Sequence, residues 1–350
     1  AMTEALESGR GLQTGMVHEA EGEVADLVCR CTGAEAVRLT TSGSLGVFYA
    51  VLLARAFTGR AGVLKVAGGW HGSQPFGLKG VSAWGTSFDH MESEGLPAGS
   101  GAEIALTRFN DVEELRRLFE QQGDRLACFV VEPVRGAGGG LPASREYLRE
   151  ARRLTEKHGA LLLCDEIITA FRFRAGDLSA AYGVRPDLLI MGKIMGGGMP
   201  VAAVAGRRDL LKLCTQASGR VKFEGGTYSA HELSLVAART MLGHLCEEES
   251  SIYPRLAALG KRMHEGLLRV TREAGGGRLQ AAPEPAGSGL PIEGIVHEGV
   301  YLVLTAQAPI GYATGFVRAA NGFGLQASRV TADGLGTADL SLVGGRYSAV

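Results

Sequence analysis

Residues 160–200 read ALLLCDEIITAFRFRAGDLSAAYGVRPDLLIMGKIMGGGMP. Two uninterrupted apolar runs stand in this stretch, 160–164 and 188–191. The first ends on Asp165-Glu166 and the second on Gly192-Lys193. A third run, 126–131, lies upstream and ends at Glu132-Pro133. A strand with one wet face alternates polar and apolar residues, so runs without alternation read as strands covered on both faces. Between the upstream run and 160–164 lies 144–158, a charged amphipathic stretch of the kind that covers such a sheet as a helix. The pattern predicts an α/β fold with a mostly parallel sheet covered by helices. In open sheets of this type, ligands bind beyond the carboxyl ends of the strands. Glu132, Asp165 and Lys193 all stand at such ends, so they are expected to share one site.

Working outward, 36–39, 62–66 and 104–106 read as further strands, and 18–31, 45–57 and 111–121 as helices. Residues 72–101 are loop-like, with Pro75, Pro97 and many Gly and Ser. Downstream, 207–216, 230–246 and 251–273 have helical periodicity, and a Gly/Pro/Ala-rich stretch at 274–294 breaks the pattern. A large domain over 1–250 and a small C-terminal domain over 251–350 are expected.

The bulk composition narrows the function. Thirty-six Lys and Arg against 37 Asp and Glu give a formal net charge of −1. Nothing in that balance asks for nucleic acid or an anionic membrane. No apolar run approaches the length of a membrane span, and no secretory leader opens the sequence. Of the six cysteines only Cys29 and Cys31 are close, a C-x-C spacing not backed by a second pair, and several others sit in apolar runs as small hydrophobes. A reducing, cytoplasmic setting is expected. No His or Cys spacing suggests a metal site.

Lys193 ends an apolar strand, where a charged amine is costly to bury. A Schiff base with a carbonyl compound would remove that cost and give the amine a chemical task. The alternative is a lysine that snorkels to solvent. A phosphate loop for ATP is excluded by order: here the glycines 196–198 follow the lysine and Ile194 comes directly after it. Those glycines would let the backbone pass close to a bulky cofactor. Asp165 needs a cationic partner or several donors. A protonated pyridine nitrogen is one such partner, and a helix cap or an arginine is the ordinary alternative. Ser42-Gly43-Ser44 lies between a strand and a helix, a place for a phosphate or simply for an N-cap. Thr227 precedes a helical run and can add a hydroxyl to the same phosphate. Trp70 offers a flat face for stacking on a cofactor, or packs on a helix. His71 is a candidate polar contact. Glu132 contacts substrate or organises loops, or else pairs with Arg135 or Arg172.

Several stretches in order resemble one family. DEIITAFR (165–172), PDLLIMGKIMGGGMPVAAVAGR (186–207), GGTYSA (225–230), VEPVRG (131–136), GWHG (69–72) and SGS (42–44) look like the signature of class III pyridoxal-phosphate-dependent aminotransferases. Within that group they are most similar to the glutamate-1-semialdehyde 2,1-aminomutases. The resemblance covers roughly 20–270. It implies the fold type I of pyridoxal 5'-phosphate (PLP) enzymes: a large domain with a mostly parallel seven-stranded sheet, plus a small α+β domain. It implies that Lys193 holds PLP and shuttles a proton, and that Asp165 bonds the ring nitrogen. Ile167 would pack under the ring and Trp70 above it, with Gly43 and Ser44 at the phosphate. Thr227 would reach the phosphate of a neighbouring subunit, so a homodimer is implied. The family's phosphate turn usually reads S-G-T-E-A. Here Ser42-Gly43-Ser44-Leu45-Gly46 lacks its Thr and its acid. The resemblance also implies a small-domain segment ahead of residue 1, and it fades after about 275. The implied activity is amino-group transfer from an amino acid or amine to a carbonyl acceptor through pyridoxamine phosphate. Intramolecular transfer as in the aminomutases, racemisation or epimerisation, and a non-catalytic binding role on the same fold stand as alternatives.

Overall fold

A computed structural model of the chain describes residues 1–8, 19–82, 87–136, 141–215, 217–223 and 226–273, with short strand segments at 279–281, 304–306, 329–330 and 338–339. The strands in chain order begin β1 (Ala36–Thr40), β2 (Gly62–Val66), β3 (Ile104–Thr107) and β4 (Leu126–Val131). A two-residue hairpin, β5 (Val134–Arg135) and β6 (Leu141–Pro142), precedes β7 (Leu161–Asp165), β8 (Leu188–Met191) and β9 (Ala202–Gly206). The helices are α1 (Met2–Glu7), α2 (Glu19–Thr32), α3 (Gly43–Thr58), α4 (Val112–Gln122), α5 (Arg145–His158), α6 (Arg208–Leu211), α7 (Glu232–Glu247) and α8 (Glu249–Glu273).

Seven strands form one sheet in the order β1-β9-β8-β7-β4-β2-β3. Six run the same way, and β9 runs against both its neighbours. The unbroken apolar runs are buried on both faces, as their lack of alternation predicts. Phe129, Val131, Leu162, Cys164, Leu189 and Met191 pack into the layer with α2, α5 and α7. Their chain neighbours Cys128, Val130, Leu161, Leu163, Leu188 and Ile190 pack into the other layer with α3. β9 escapes the sequence reading because AAVAG is short and rich in Ala and Gly, residues with little strand preference. Pairing on both edges makes it a strand.

Short polar residues start the covering helices. Asp111 accepts from Glu114 N at 2.8 Å, and Ser144 accepts from Tyr147 N at 3.1 Å. In the same layer, α2 packs on α7, and Cys31 Sγ lies 2.6 Å from Cys246 Sγ. The expected domain boundary at 250/251 falls in the first turn of α8. Tyr253 ties that helix back to the sheet domain by donating to Phe171 O at 3.1 Å. Most of the expected small domain, 274–350, lies outside the described residues apart from the short strand segments. Among the described residues, no helix is long and apolar enough to cross a membrane.

Candidate active site

A cavity of about 320 Å³ opens at the carboxyl ends of β4 and β7. Its walls include Ser42, Gly43 and Ser44 from the start of α3, Trp70 and His71 from the loop after β2, Glu132, Asp165, Ile167 and Lys193. The strand-end residues expected to converge do so because the central ladders are in register. Val131 is level with Cys164, and Asp165 with Ile190.

Asp165 is 6% exposed, and both of its oxygens are engaged. Oδ2 lies 2.8 Å from His71 Nδ1, and Oδ1 accepts from Ile167 N at 3.2 Å. A carboxylate cannot donate, so Nδ1 carries the proton and donates. Burial lowers the His71 pKa, the Asp165 hydrogen bond and charge raise it, and the nearby Lys65 ammonium lowers it further. The net direction is down, so the ring is neutral and its tautomer is fixed by Asp165. His71 therefore acts first as the partner that orients Asp165. Its Nε2 is buried with no hydrogen-bond partner among the described residues.

Glu132 is buried and bridges two loops. Oε1 accepts from Trp70 N at 3.3 Å and Oε2 from Gly136 N at 3.0 Å. Burial and the Asp165 charge push its pKa up to about 8, against the two N–H groups and Arg135. The loop-organising alternative thus describes what Glu132 does in this fold.

Lys193 begins a single 3₁₀ turn, Lys193–Gly196, with φ of 48°. A side chain at positive φ is strained, and such strain gathers at functional positions. As a whole Lys193 is an exposed residue on the cavity lining. The surrounding protein still lowers its pKa by burial, against the Asp165 charge and together with the Arg172 guanidinium. Glycines 196–198 are not among the residues that line this cavity. At Gly197, φ is 57° and a Cβ would meet Ala237 O at 3.2 Å. The glycine lets the lysine turn fold down onto α7, so its smallness serves helix packing.

Ser42 takes its ordinary alternative, capping α3 by accepting from Leu45 N at 3.4 Å. Gly43 lies so close to Ile167 that a Cβ would overlap that side chain. Ser44 lies under Gly72, where a Cβ would be 2.5 Å from Ser44 Oγ. Trp70 stands at the rim, 42% exposed. Thr227 is exposed in the turn before α7 and is absent from the cavity wall.

Lys65 escapes the sequence reading. It sits within β2, 1% exposed, and donates to Gly77 O at 3.0 Å and to Lys79 O at 2.7 Å. Burial lowers its pKa to about 8, against the charges of Glu132, Glu92 and Asp165. The available signal was a lysine inside the apolar run GVLKV (62–66).

These residues fit a flat, anionic, aldehyde-bearing cofactor. A small-residue helix start faces one end, an oriented acid sits on the floor, and an amine stands on the turn after the neighbouring strand. With the sheet order, that arrangement defines a PLP-dependent transferase of fold type I. Residues 1–276 match the family model described as aminotransferase class-III, and the chain belongs to that family. It is 32% identical over 317 residues to a glutamate-1-semialdehyde 2,1-aminomutase of Laribacter hongkongensis, covering 89% of this chain and 70% of that protein. An omega-transaminase structure from Sphaerobacter thermophilus superposes with a TM-score of 0.74 at 31% identity, covering 81% of this chain and 65% of that one. A glutamate-1-semialdehyde-aminomutase structure from Pseudomonas aeruginosa shares the fold, with a TM-score of 0.67 at 22% identity over 81% of this chain and 63% of that one. The chain thus spans about two thirds of the length of these proteins.

Proposed function

We propose that the chain carries out PLP-dependent amino-group transfer, with Lys193 as the cofactor lysine and Asp165 as the acid at the ring nitrogen. The observation that carries this reading is the oriented Asp165–His71 pair in the same cavity wall as Lys193. Bound PLP supplies an aldehyde for an amine to condense with and a ring that accepts the electron pair released at the substrate Cα. Asp165, held by His71 Nδ1–H and Ile167 N–H, keeps a negative charge at the floor and so holds a proton on the ring nitrogen. Lys193 Nζ, with its basicity reduced by burial, takes the proton from the substrate Cα and returns it at the cofactor carbon. The amide groups of Gly43 and Ser44 at the start of α3 offer donors and a positive helix end to the phosphate. Ile167 and Trp70 would face the two sides of the ring, and Glu132 fixes the loops that carry the tryptophan.

Intramolecular transfer of the aminomutase kind is the second reading. The names of curated relatives 32% and 31% identical to this chain favour it. The exposed place of Thr227 fits a contact with a second subunit, and a homodimer is part of the proposal. So is a smaller C-terminal domain over 251–350. The buried Cys128 and Cys164, small hydrophobes within β4 and β7, fit the reducing, cytoplasmic setting that is part of the proposal.

The test is reconstitution with PLP followed by a screen of amino donors. Wild type should gain a visible absorbance band that bleaches with a matching donor, and Lys193→Ala should lack it. A wild-type chain that takes up no PLP would remove the proposal. Release of a free keto product separates intermolecular from intramolecular transfer.

A further inference from the structure

A buried ammonium is costly unless its donors are used and its charge is answered. Lys65 spends two donors on Gly77 O and Lys79 O, both in the irregular loop between β2 and β3. That loop stacks against the cavity wall in close backbone steps. A Cβ on Gly77 would overlap Gly72 O and lie 3.2 Å from His71 O. A Cβ on Gly72 would lie 2.6 Å from Ser44 Cα. Gly77 therefore rests on Gly72, and Gly72 rests on the turn at the start of α3. His71, one residue earlier, reaches Asp165 at 2.8 Å. The ends of the loop are tied elsewhere, by Gly68 N to Gly80 O at 2.8 Å and by Gly80 N to His90 O at 2.9 Å. Between them, Glu92 N donates to Leu78 O at 2.9 Å, and Lys65 bonds the carbonyls on either side of that residue.

We propose that Lys65 is a positioning residue for the cofactor site. Its ammonium seats the 72–79 loop so that Gly72 backs the Ser42–Ser44 turn while His71 meets Asp165. One buried cation thereby sets both ends of the cofactor: the phosphate turn and the ring-nitrogen acid. The inference rests on the cavity being a PLP site. A neutral side chain at 65 would leave two carbonyls without their donor and free the loop to shift.

The test uses wild type, Lys65→Met, Lys65→Arg and Gly77→Ala, each stripped of cofactor and titrated with PLP. The visible band, its induced circular dichroism and the thermal midpoint of the stripped protein are recorded. Lys65→Met should bind PLP about 10-fold more weakly or worse, with reduced induced dichroism. Its stripped form should melt within a few degrees of wild type. Lys65→Arg, which keeps donors for both carbonyls, should recover part of the affinity. Gly77→Ala keeps the charge but lifts the loop from Gly72, and it should weaken PLP as Lys65→Met does. Wild-type affinity and dichroism in Lys65→Met would overturn the proposal. So would a loss of affinity that only follows a lower melting point and is not recovered by arginine. If Lys65→Met does not fold, wild-type affinity in Gly77→Ala overturns it. Wild type without PLP binding overturns the cofactor reading as well. Wild type that binds, beside variants that bind equally, overturns this proposal alone.

Discussion

The floor and the wall of the cavity are built by different physics. The floor is strand ends: Asp165 follows four buried ladder residues, and the Lys193 turn follows four more. Their placement comes from the sheet's register, which many backbone bonds over-determine. The wall is loop. Trp70, His71 and Gly72 lie beyond the end of β2 and are held by a few side-chain bonds, from Glu132 and Asp165, with Lys65 bonding Gly77 O behind them. A floor residue should therefore be replaceable without moving its neighbours. A wall residue should act through the position of others.

The largest effect is expected at the floor. Lys193→Ala removes the amine that moves the Cα proton and should lower turnover by about 10⁴-fold or more. Its melting point should change little, because Lys193 is exposed and alanine keeps the Cβ that the positive φ already accommodates. A large loss of stability would show that the lysine turn is a structural support, against the comparison drawn here. Asp165→Asn should come next, slowing the proton-abstraction step by roughly 10²-fold or more as the ring nitrogen loses its charged partner. The drop should appear as a primary isotope effect with Cα-deuterated donor. Asp165→Asn kinetics equal to wild type would remove Asp165 from its role.

His71→Phe tests whether the wall works through the floor. Phenylalanine keeps a ring but has no N–H, so it takes away the Nδ1–H that orients Asp165 while leaving that charge in place. The expected cost in kcat is smaller, about 10-fold, the scale of one lost charge-assisted hydrogen bond. A double-mutant cycle with Asp165→Asn should be far from additive. Additivity would mean that His71 acts on something other than Asp165.

The same contrast explains what was legible in the sequence. Runs 126–131 and 188–191 match β4 and β8 to the residue, because uninterrupted burial leaves its mark on every position. Asp165 and Lys193 were readable for the same reason: each is the charged residue that ends such a run. β9 was not, since Ala and Gly say little until two neighbours pair with them. The roles of Lys65 and His71 were not legible either. A buried lysine in GVLKV gives no hint that its partners are carbonyls 12 and 14 residues on. Glu132 was readable as a site residue. Its task of joining Trp70 to Gly136 depends on loop geometry that no local pattern encodes.

The smallest effect, a change of slope, belongs to Glu132. Its carboxyl titrates near 4.5 in an unfolded chain and near 8 in place, raised by burial and by Asp165. Below about pH 4.5 it is protonated in both states and adds no slope. As pH rises toward 8 the unfolded chain ionises while the folded one does not. The unfolded state then binds fewer protons, so stability falls with rising pH. The fall ends once the folded carboxyl itself ionises. Glu166, raised to about 7 by its own burial and by Asp177, adds a slope of the same sign. The difference between wild type and Glu132→Gln cancels that contribution. An amide oxygen can accept from Trp70 N or Gly136 N but the amide nitrogen cannot, which costs about 1 kcal/mol at every pH. Denaturant melts of the two proteins from pH 4.5 to 8 should therefore start with the variant less stable and converge, or cross, toward pH 8. Parallel curves would mean that Glu132 is ionised in the folded protein, and that the join between Trp70 and Gly136 is made by a carboxylate.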